Sequence, residues 1–155
     1  MIKTIYGNIL QIPTIYICHQ VNCRGVMGAG LAKQVKEKWP AVYQQYKENC
    51  NSMFPEDLLG FNDFIPINDT VCIVNMYAQD EYGEDACYTN YKAFRECLTR
   101  IARKANKKTD IIRFPYKIGC GLAGGDWNII QKLIYEILGD YNVEFYSLDP
   151  EPPII

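Results

Sequence analysis

Two glycine-rich segments, each between a predicted strand and a predicted helix, are the features of this sequence best suited to chemistry. Loop 1 (residues 22–30) contains GVMGAG at residues 25–30, and loop 2 (residues 118–125) contains GCGLAGG at residues 119–125. Glycine lets a backbone approach a ligand closely and adopt positive φ, and a helix that begins beside it offers free N–H groups and a partial positive charge. The pair predicts a two-sided cradle for a diphosphate, although a plain turn would also explain either loop alone.

Loop 1 differs from two well-known phosphate-binding motifs. No Gly-Lys-Ser/Thr follows it, as a P-loop requires. It also differs from the dinucleotide fingerprint, in which Gly-x-Gly-x-x-Gly opens a helix and an acidic residue follows about twenty residues later. Glycine spacing alone therefore does not assign either class.

The cysteines do not form a metal-binding pattern. The chain has 7 cysteines and 1 histidine, and no Cys-x-x-Cys pair occurs. Zinc-ligand spacing is therefore absent, and we expect no metal and no cofactor. Reduced thiols in a cytosol are the expected state.

Length and charge indicate one ordinary globular domain over residues 1–155, with an irregular, proline-containing tail at residues 149–155. The 16 basic and 18 acidic residues give a net charge of −2, without the dense basic stripe that an extended phosphate backbone needs. We therefore expect main-chain amides, more than lysines, to hold an anionic ligand. No signal peptide or membrane span is recognisable, so we expect a cytoplasmic monomer.

The predicted elements that position the loops alternate between strands and helices. Predicted strands cover residues 2–6, 14–21, 71–76, 110–115 and 143–148. Predicted helices cover residues 31–39, a stretch from Pro40, residues 91–101 and residues 127–138, while residues 49–69 are predicted mainly as loop with short extended pieces. This alternation favours α/β layers around a central sheet.

Three motifs in this order resemble one known family. They are GNIL at residues 7–10, HQVNCRGVMGAG at residues 19–30 and FPYKIGCGLAGGDW at residues 114–127. Together they resemble the macrodomain family of ADP-ribose-binding modules, and look closest to the branch of ADP-ribose 1″-phosphate phosphatases and terminal ADP-ribose glycohydrolases. The resemblance implies a three-layer α/β/α sandwich with a central mixed sheet and a cleft at the strand ends.

The resemblance also implies which residues contact the ligand. Asn8 stands where the family usually has an Asp that contacts the adenine amino group, and Asn22 matches the residue that contacts the distal ribose; a turn residue and a loop cap are their structural alternatives. Leu148 is expected either near the adenosine or in the core. The implied ligand-binding residues are Asn8, Ile9, Asn22, Gly25, Val26, Met27, Gly28, Ala29, Gly30, Ile118, Gly119, Cys120, Gly121, Leu122, Ala123, Gly124 and Gly125.

Similarity to the phosphatase branch leads to a mechanistic hypothesis for His19 and Asp126. His19 would act as general acid or base, or as the nucleophile, at the 1″-phosphate, and Asp126 would orient the imidazole or activate water. Loop amides would stabilise the charge that develops on the phosphoryl oxygens. Each residue also has a structural interpretation, because a lone histidine can simply satisfy hydrogen bonds and aspartate is a favoured N-cap.

One departure separates this chain from the terminal ADP-ribose glycohydrolases. That family pairs a Lys after the middle strand with an Asp directly after Gly-Cys-Gly-Leu, whereas residues 71–79 contain no Lys here and Ala123 follows Leu122. We therefore expect a protein that binds ADP-ribose and hydrolyses its 1″-phosphate. The alternatives are removal of ADP-ribose from modified protein or nucleic acid, a non-catalytic reader of ADP-ribosylated macromolecules and, outside the family, a generic nucleotide-binding protein.

Overall fold

A computed structural model describes residues 12–28, 30–83 and 85–146. Its strands are β1 (Ile15–Val21), β2 (Asn62–Pro66), β3 (Val71–Tyr77), β4 (Ile111–Pro115) and β5 (Asn142–Tyr146). Its helices are α1 (Gly30–Lys38), α2 (Pro40–Ser52), α3 (Pro55–Leu58), α4 (Tyr91–Lys104) and α5 (Trp127–Leu138). The strand predicted at residues 2–6 and the tail at residues 149–155 lie outside the described residues, and the single-domain boundaries stay a prediction.

The five strands form one mixed sheet in the order β2-β3-β1-β4-β5. β1 is parallel to both of its neighbours, β4 is parallel to β5, and β2 is antiparallel to β3. The central strand β1 therefore has both faces covered, and its sequence is mostly apolar, as is usual for such a strand.

Helices cover both faces of this sheet. Tyr16 and Cys18 of β1 pack with buried residues of α4 and α5. Ile17, between them in sequence, packs with Val35 of α1 and Val42 of α2. Successive side chains of a strand point to opposite faces, so this alternation gives the predicted three-layer α/β/α sandwich.

Residues 49–69 contain more regular structure than the sequence predicts. Helix α2 continues to Ser52, α3 follows, and β2 joins the edge of the sheet. Apolar periodicity does not mark β2, because it begins with two buried polar residues, Asn62 and Asp63. Hydrogen bonds compensate their burial: the Asn62 amide donates to the carbonyl oxygen of Cys97 at 2.9 Å, and Asp63 accepts from three side chains.

Local chemistry fixes the starts of the long helices. Pro40 begins α2, where its missing N–H costs no intrahelical bond. Asn90 caps α4 by accepting from the N–H of Ala93, and Asp126 caps α5 by accepting from the N–H of Asn128. Within the described ranges, no helix combines the length and apolar character needed to cross a membrane.

Candidate functional site

A cleft of about 420 Å³ opens at the carboxyl ends of the central parallel strands. Loop 1 follows β1 on one side of it, loop 2 follows β4, and the segment after β3 forms a third wall. Its described lining residues are Gln20, Val21, Asn22, Val26, Gly28, Ala32, Gln79, Tyr82, Gly83, Leu122 and Ala123. Ligands of open α/β sheets bind at this edge, where connections from a central strand leave in opposite directions.

The side chain of Asn22 organises the first turn of loop 1. Its Oδ1 accepts from the main-chain N–H groups of Arg24 at 2.9 Å and Val26 at 3.4 Å. Its Nδ2 donates to the carbonyl oxygen of Val26 at 2.8 Å. Asn22 thus acts as the loop cap that was one of its two interpretations, while still lining the cleft.

Loop 1 is also joined to the third wall. The N–H of Cys23 donates to the carbonyl oxygen of Asp80 at 2.9 Å. The Arg24 guanidinium lies 3.0 Å from the Asp80 carboxylate and 3.4 Å from that of Glu81. Because these ion pairs are solvent-exposed, the main-chain bond contributes most of the connection.

Loop 2 is fixed by its own main chain and by Thr89. The N–H of Gly125 donates to the carbonyl oxygen of Gly119 at 2.8 Å, and the Thr89 hydroxyl donates to that same oxygen at 2.7 Å. Gly119 has a φ of 76°, and a Cβ on Gly125 would lie 2.5 Å from the Gly119 oxygen. Only glycine therefore fits this turn without displacing its backbone.

Several amides of both loops have no acceptor among the described residues. They are the main-chain N–H groups of Met27 and Gly28 in loop 1 and of Gly121, Leu122 and Ala123 in loop 2. No described lining residue of the cleft is charged. The arrangement can therefore offer hydrogen-bond donors to an anion without a cationic side chain.

Apolar side chains rim the same cleft. Val26, Tyr82 and Leu122 all line it, and Tyr82 and Leu122 are 55% and 53% exposed. Exposed large apolar groups around one concave surface are typical of a ligand site. The site thus combines apolar walls with main-chain donors.

Sequence reasoning missed the third wall and the floor. Gln79, Tyr82 and Gly83 follow β3, outside both glycine-rich loops, and Gln20 lies within β1. The Gln20 amide donates to Gln79 at 2.8 Å and to Thr89 at 2.9 Å. The signal that could have found these residues is the parallel arrangement of the strands. Neighbouring parallel strands end at the same edge of the sheet, so the segment after β3 begins beside loop 1 and loop 2.

His19 lies in a buried row of polar side chains, with Asn75 and Asp63, rather than in the cleft. Its side chain is 2% exposed, and its Nε2 lies 2.5 Å from Oδ1 of Asn75. The Asn75 amide nitrogen donates to Asp63, so Asn75 Oδ1 is the acceptor and His19 Nε2 carries the proton. Burial lowers the pKa of His19 to about 4, an effect that the bond to Asn75 opposes, so the imidazole is neutral at physiological pH.

The structure does not bring His19 and Asp126 together. His19 points to the α1–α2 face of the sheet, because Ile17 and alternate residues of β1 do so. Asp126 begins α5 on the opposite face, and its carboxylate accepts from the N–H of Asn128 at 2.8 Å. The predicted pairing of carboxylate and imidazole is not formed, and a catalytic role for either residue stays a prediction.

The remaining predicted contacts divide into three groups. Asn22, Val26, Gly28, Leu122 and Ala123 line the cleft. Members of the two loops that do not line it are Gly25, Met27, Gly30, Ile118, Gly119, Cys120, Gly121, Gly124 and Gly125. Asn8, Ile9, Ala29 and Leu148 lie outside the described residues.

Three side chains of loops 1 and 2 are oriented towards the protein interior. Met27 and Ile118 are buried in the core, so only their main chains could contact a ligand. Burial raises the pKa of the Cys120 thiol to about 11, which keeps it protonated and poorly nucleophilic at neutral pH. Over the described ranges, no three His, Cys, Asp or Glu side chains cluster as metal ligands would.

Comparisons with known proteins find relatives by sequence and by structure. The chain is 26% identical to an ADP-ribose 1″-phosphate phosphatase of Saccharomyces cerevisiae, over 95% of this chain and 98% of the relative. It is 39% identical to a DNA ADP-ribosyl glycohydrolase of Mycobacterium tuberculosis, over 90% of this chain but only 40% of that relative's length. A macrodomain protein of Streptomyces coelicolor has a TM-score of 0.71 and 25% identity, over 90% of this chain and 91% of its own. No family model matches the sequence.

Proposed function

This chain belongs to the macrodomain family, and from that premise we propose that it binds ADP-ribose in the cleft and hydrolyses ADP-ribose 1″-phosphate to ADP-ribose and phosphate. The observation that carries the proposal is a set of main-chain amides in the two loops beside the cleft, at Met27, Gly28 and residues 121–123, that have no acceptor among the described residues. Main-chain donors of this kind suit a diphosphate. A phosphatase of similar length is among the relatives.

In the proposed complex, the diphosphate lies between the two loops. The amides of loop 1 and loop 2 donate to its oxygens, while Val26, Tyr82 and Leu122 cover apolar faces of the nucleoside and sugar. Because no described lining residue is charged, the binding energy comes from oriented N–H groups and apolar burial.

The hydrolytic step needs a water molecule, a base and stabilisation of phosphoryl charge. We assign the base to Asp126, which is exposed at the end of loop 2 and uses Oδ1 to cap α5. The water oxygen attacks phosphorus, the bond from phosphorus to the ribose 1″-oxygen breaks, and the proton of water passes through Asp126 to the departing oxygen. Loop amides stabilise the phosphoryl oxygens. His19 is left out, because it is neutral and bonded to Asn75.

Removal of ADP-ribose from DNA is the second candidate, favoured by the higher identity to the mycobacterial relative. The residue types weaken it, because residues 71–79 contain no Lys and Ala123 follows Leu122. The resemblance to terminal ADP-ribose glycohydrolases implies a Lys after the middle strand and an Asp directly after Gly-Cys-Gly-Leu. A reader without turnover needs only the binding contacts.

Calorimetry with ADP-ribose, ADP and NAD, followed by two turnover assays in the same buffer, tests the proposal. We expect ADP-ribose to bind most tightly and phosphate to be released from ADP-ribose 1″-phosphate. Release of ADP-ribose from modified DNA without phosphate release would favour the second candidate. Tight binding with neither product would identify a reader, and absence of ADP-ribose binding would contradict the proposal.

A further inference from the structure

The hydroxyl of Tyr46, a residue of α2, lies inside the turn that begins loop 1. It is 2.6 Å from Oδ1 of Asn22 and 2.8 Å from the main-chain oxygen of Asn22, and it donates its hydrogen between them. The same Oδ1 accepts from the N–H groups of Arg24 and Val26. Tyr46 therefore completes the hydrogen bonding of the residue around which the turn is built.

The ring of Tyr46 connects this turn to the rigid core. The side chain is fully buried, and its ring stacks on that of Tyr77 with centroids 5.8 Å apart and an interplanar angle of 25°. Tyr77 closes β3, and its hydroxyl donates to Asp63 of β2 at 2.7 Å. The position of the Tyr46 hydroxyl is thus set by packing against the sheet.

Helix α2 also supports the turn at its glycine. Gly25 has a φ of 80°, and a Cβ there would lie 3.1 Å from Nζ of Lys47. Lys47 in turn lies 3.4 Å from the carbonyl oxygen of Gly25 and can donate to it. The turn is therefore enclosed from the α2 side, and the Met27 and Gly28 amides follow directly after it.

We propose that Tyr46 is a positioning residue for ligand binding. Its hydroxyl fixes the turn from Asn22 to Val26 and so orients the amides of Met27 and Gly28 before a phosphate arrives. Without it, loop 1 has to be ordered during binding, which lowers affinity. The identity of the ligand rests on the proposed function, whereas the fixing of loop 1 by Tyr46 does not.

A pair of matched variants separates this role from general stability. Tyr46→Phe and Tyr77→Phe each remove one fully buried hydroxyl from the same stacked pair, but only the first hydroxyl contacts loop 1. We expect Tyr46→Phe to raise the Kd for ADP-ribose about tenfold, equivalent to about 1.4 kcal/mol. Tyr77→Phe should leave that Kd within about twofold, although both variants melt at lower temperature because each loses a buried hydrogen bond.

Amide hydrogen exchange provides a readout that needs no ligand. In Tyr46→Phe, the peptide covering residues 22–28 should exchange at least about tenfold faster, since the turn opens more often. In Tyr77→Phe that peptide should exchange as in the unaltered protein, once the rates are compared at equal distance below the melting temperature.

The outcomes distinguish this inference from the proposed function. Unchanged exchange of residues 22–28 in Tyr46→Phe overturns the inference, as does an equal loss of affinity in both variants. Unaltered protein that fails to bind ADP-ribose overturns the proposed function, while the exchange measurement still decides whether Tyr46 fixes loop 1. If Tyr46→Phe, and not Tyr77→Phe, shows both faster exchange of residues 22–28 and a raised Kd for ADP-ribose, the result supports the inference about Tyr46 and the proposed binding of ADP-ribose.

Discussion

The glycines of loop 2 differ in how closely other protein atoms surround the position that a Cβ atom would take. A Cβ on Gly125 would lie 2.5 Å from the main-chain oxygen of Gly119, so the turn itself requires glycine there. A Cβ on Gly121 would have no described protein atom within 4 Å, and its φ is not in the left-handed region. At Gly121 the reason for glycine is therefore expected to be the ligand.

We predict that Gly121→Ala leaves the melting temperature unchanged and raises the Kd for ADP-ribose at least about tenfold, because the methyl group separates the diphosphate from the amides around it. Calorimetry and thermal unfolding measure the two effects. Gly125→Ala is the matched control, and should lower stability and affinity together. An unchanged Kd in Gly121→Ala would show that the ligand does not approach this part of loop 2.

Asp126 has two separable tasks, and two substitutions distinguish them. Asparagine caps a helix about as well as aspartate, so Asp126→Asn should keep the stability of the protein, whereas Asp126→Ala should lose about 1 kcal/mol. If the carboxylate is the base, Asp126→Asn lowers phosphate release at least about a hundredfold. Full turnover by Asp126→Asn in the phosphate-release assay would remove Asp126 from the mechanism.

At the scale of elements, a row of polar side chains crosses three strands beneath α1 and α2. His19 of β1 is paired in register with Asn75 of β3, which is paired with Asp63 of β2. Asp63 also accepts from Asn49 of α2 at 2.7 Å and from Tyr77 at 2.7 Å. The row therefore ties the sheet to α2 through the bond between Asn49 and Asp63.

Acid should destabilise the protein through this row. The pKa of His19 is lowered by burial from 6.5 to about 4, so between these values the unfolded chain binds the proton and the folded chain does not. The stability contributed by the neutral imidazole is complete above pH 6.5 and is lost as the pH falls towards 4. We predict a loss of about 2 kcal/mol between about pH 7 and about pH 5 in denaturant unfolding.

His19→Gln provides the control, because its side chain cannot take up a proton. This variant should lose most of the slope between about pH 7 and about pH 5. Burial raises the pKa of Asp63, which hydrogen bonds from Tyr77, Asn75 and Asn49 oppose. The pKa of Asp63 is raised overall, whereas that of His19 is lowered. Protonation of Asp63 therefore favours the folded state as the pH falls, and this effect is the same in the variant and the unaltered protein. Equal slopes in both would assign the acid sensitivity to groups other than His19.

For the whole molecule, the sheet order brings three separate segments to one edge. β1 has β3 on one side and β4 on the other, both parallel to it. The connections that follow these three strands therefore emerge together and enclose the cleft. There the Gln20 amide near the end of β1 donates to Gln79 after β3 and to Thr89, and the Thr89 hydroxyl donates to Gly119 of loop 2.

The charge of the whole molecule leads to a prediction about salt. Net charge is −2, and no lining residue in the described part of the cleft is charged. We predict that the Kd for ADP-ribose changes less than about threefold between about 50 mM and about 500 mM NaCl, because screening weakens contacts between mobile charges more than short bonds from fixed amides. Calorimetry at several salt concentrations measures this, and a steep rise of Kd would indicate a cationic contact.

The sequence alone was sufficient to predict the order of most strands and helices and the two loops, and it gave the N-cap as one of two interpretations of Asp126. These features depend on neighbouring residues: apolar periodicity, glycine at tight turns and a side chain that reaches its own helix. The motifs at residues 19–30 and 114–127 pointed to the family for the same reason, since each is a contiguous stretch.

Only the tertiary structure decided which groups meet. β2 was predicted only as an unspecified extended piece of a loop, because its buried Asn62 and Asp63 are stabilised by partners elsewhere in the chain, in α4, α2 and β3. The third wall at Gln79 and Tyr82, and the separation of His19 from Asp126, follow from strand order and from the face to which each side chain points. The strand register, and the face of the sheet to which each side chain points, are set by packing between distant segments. A linear pattern of residue types does not contain that information.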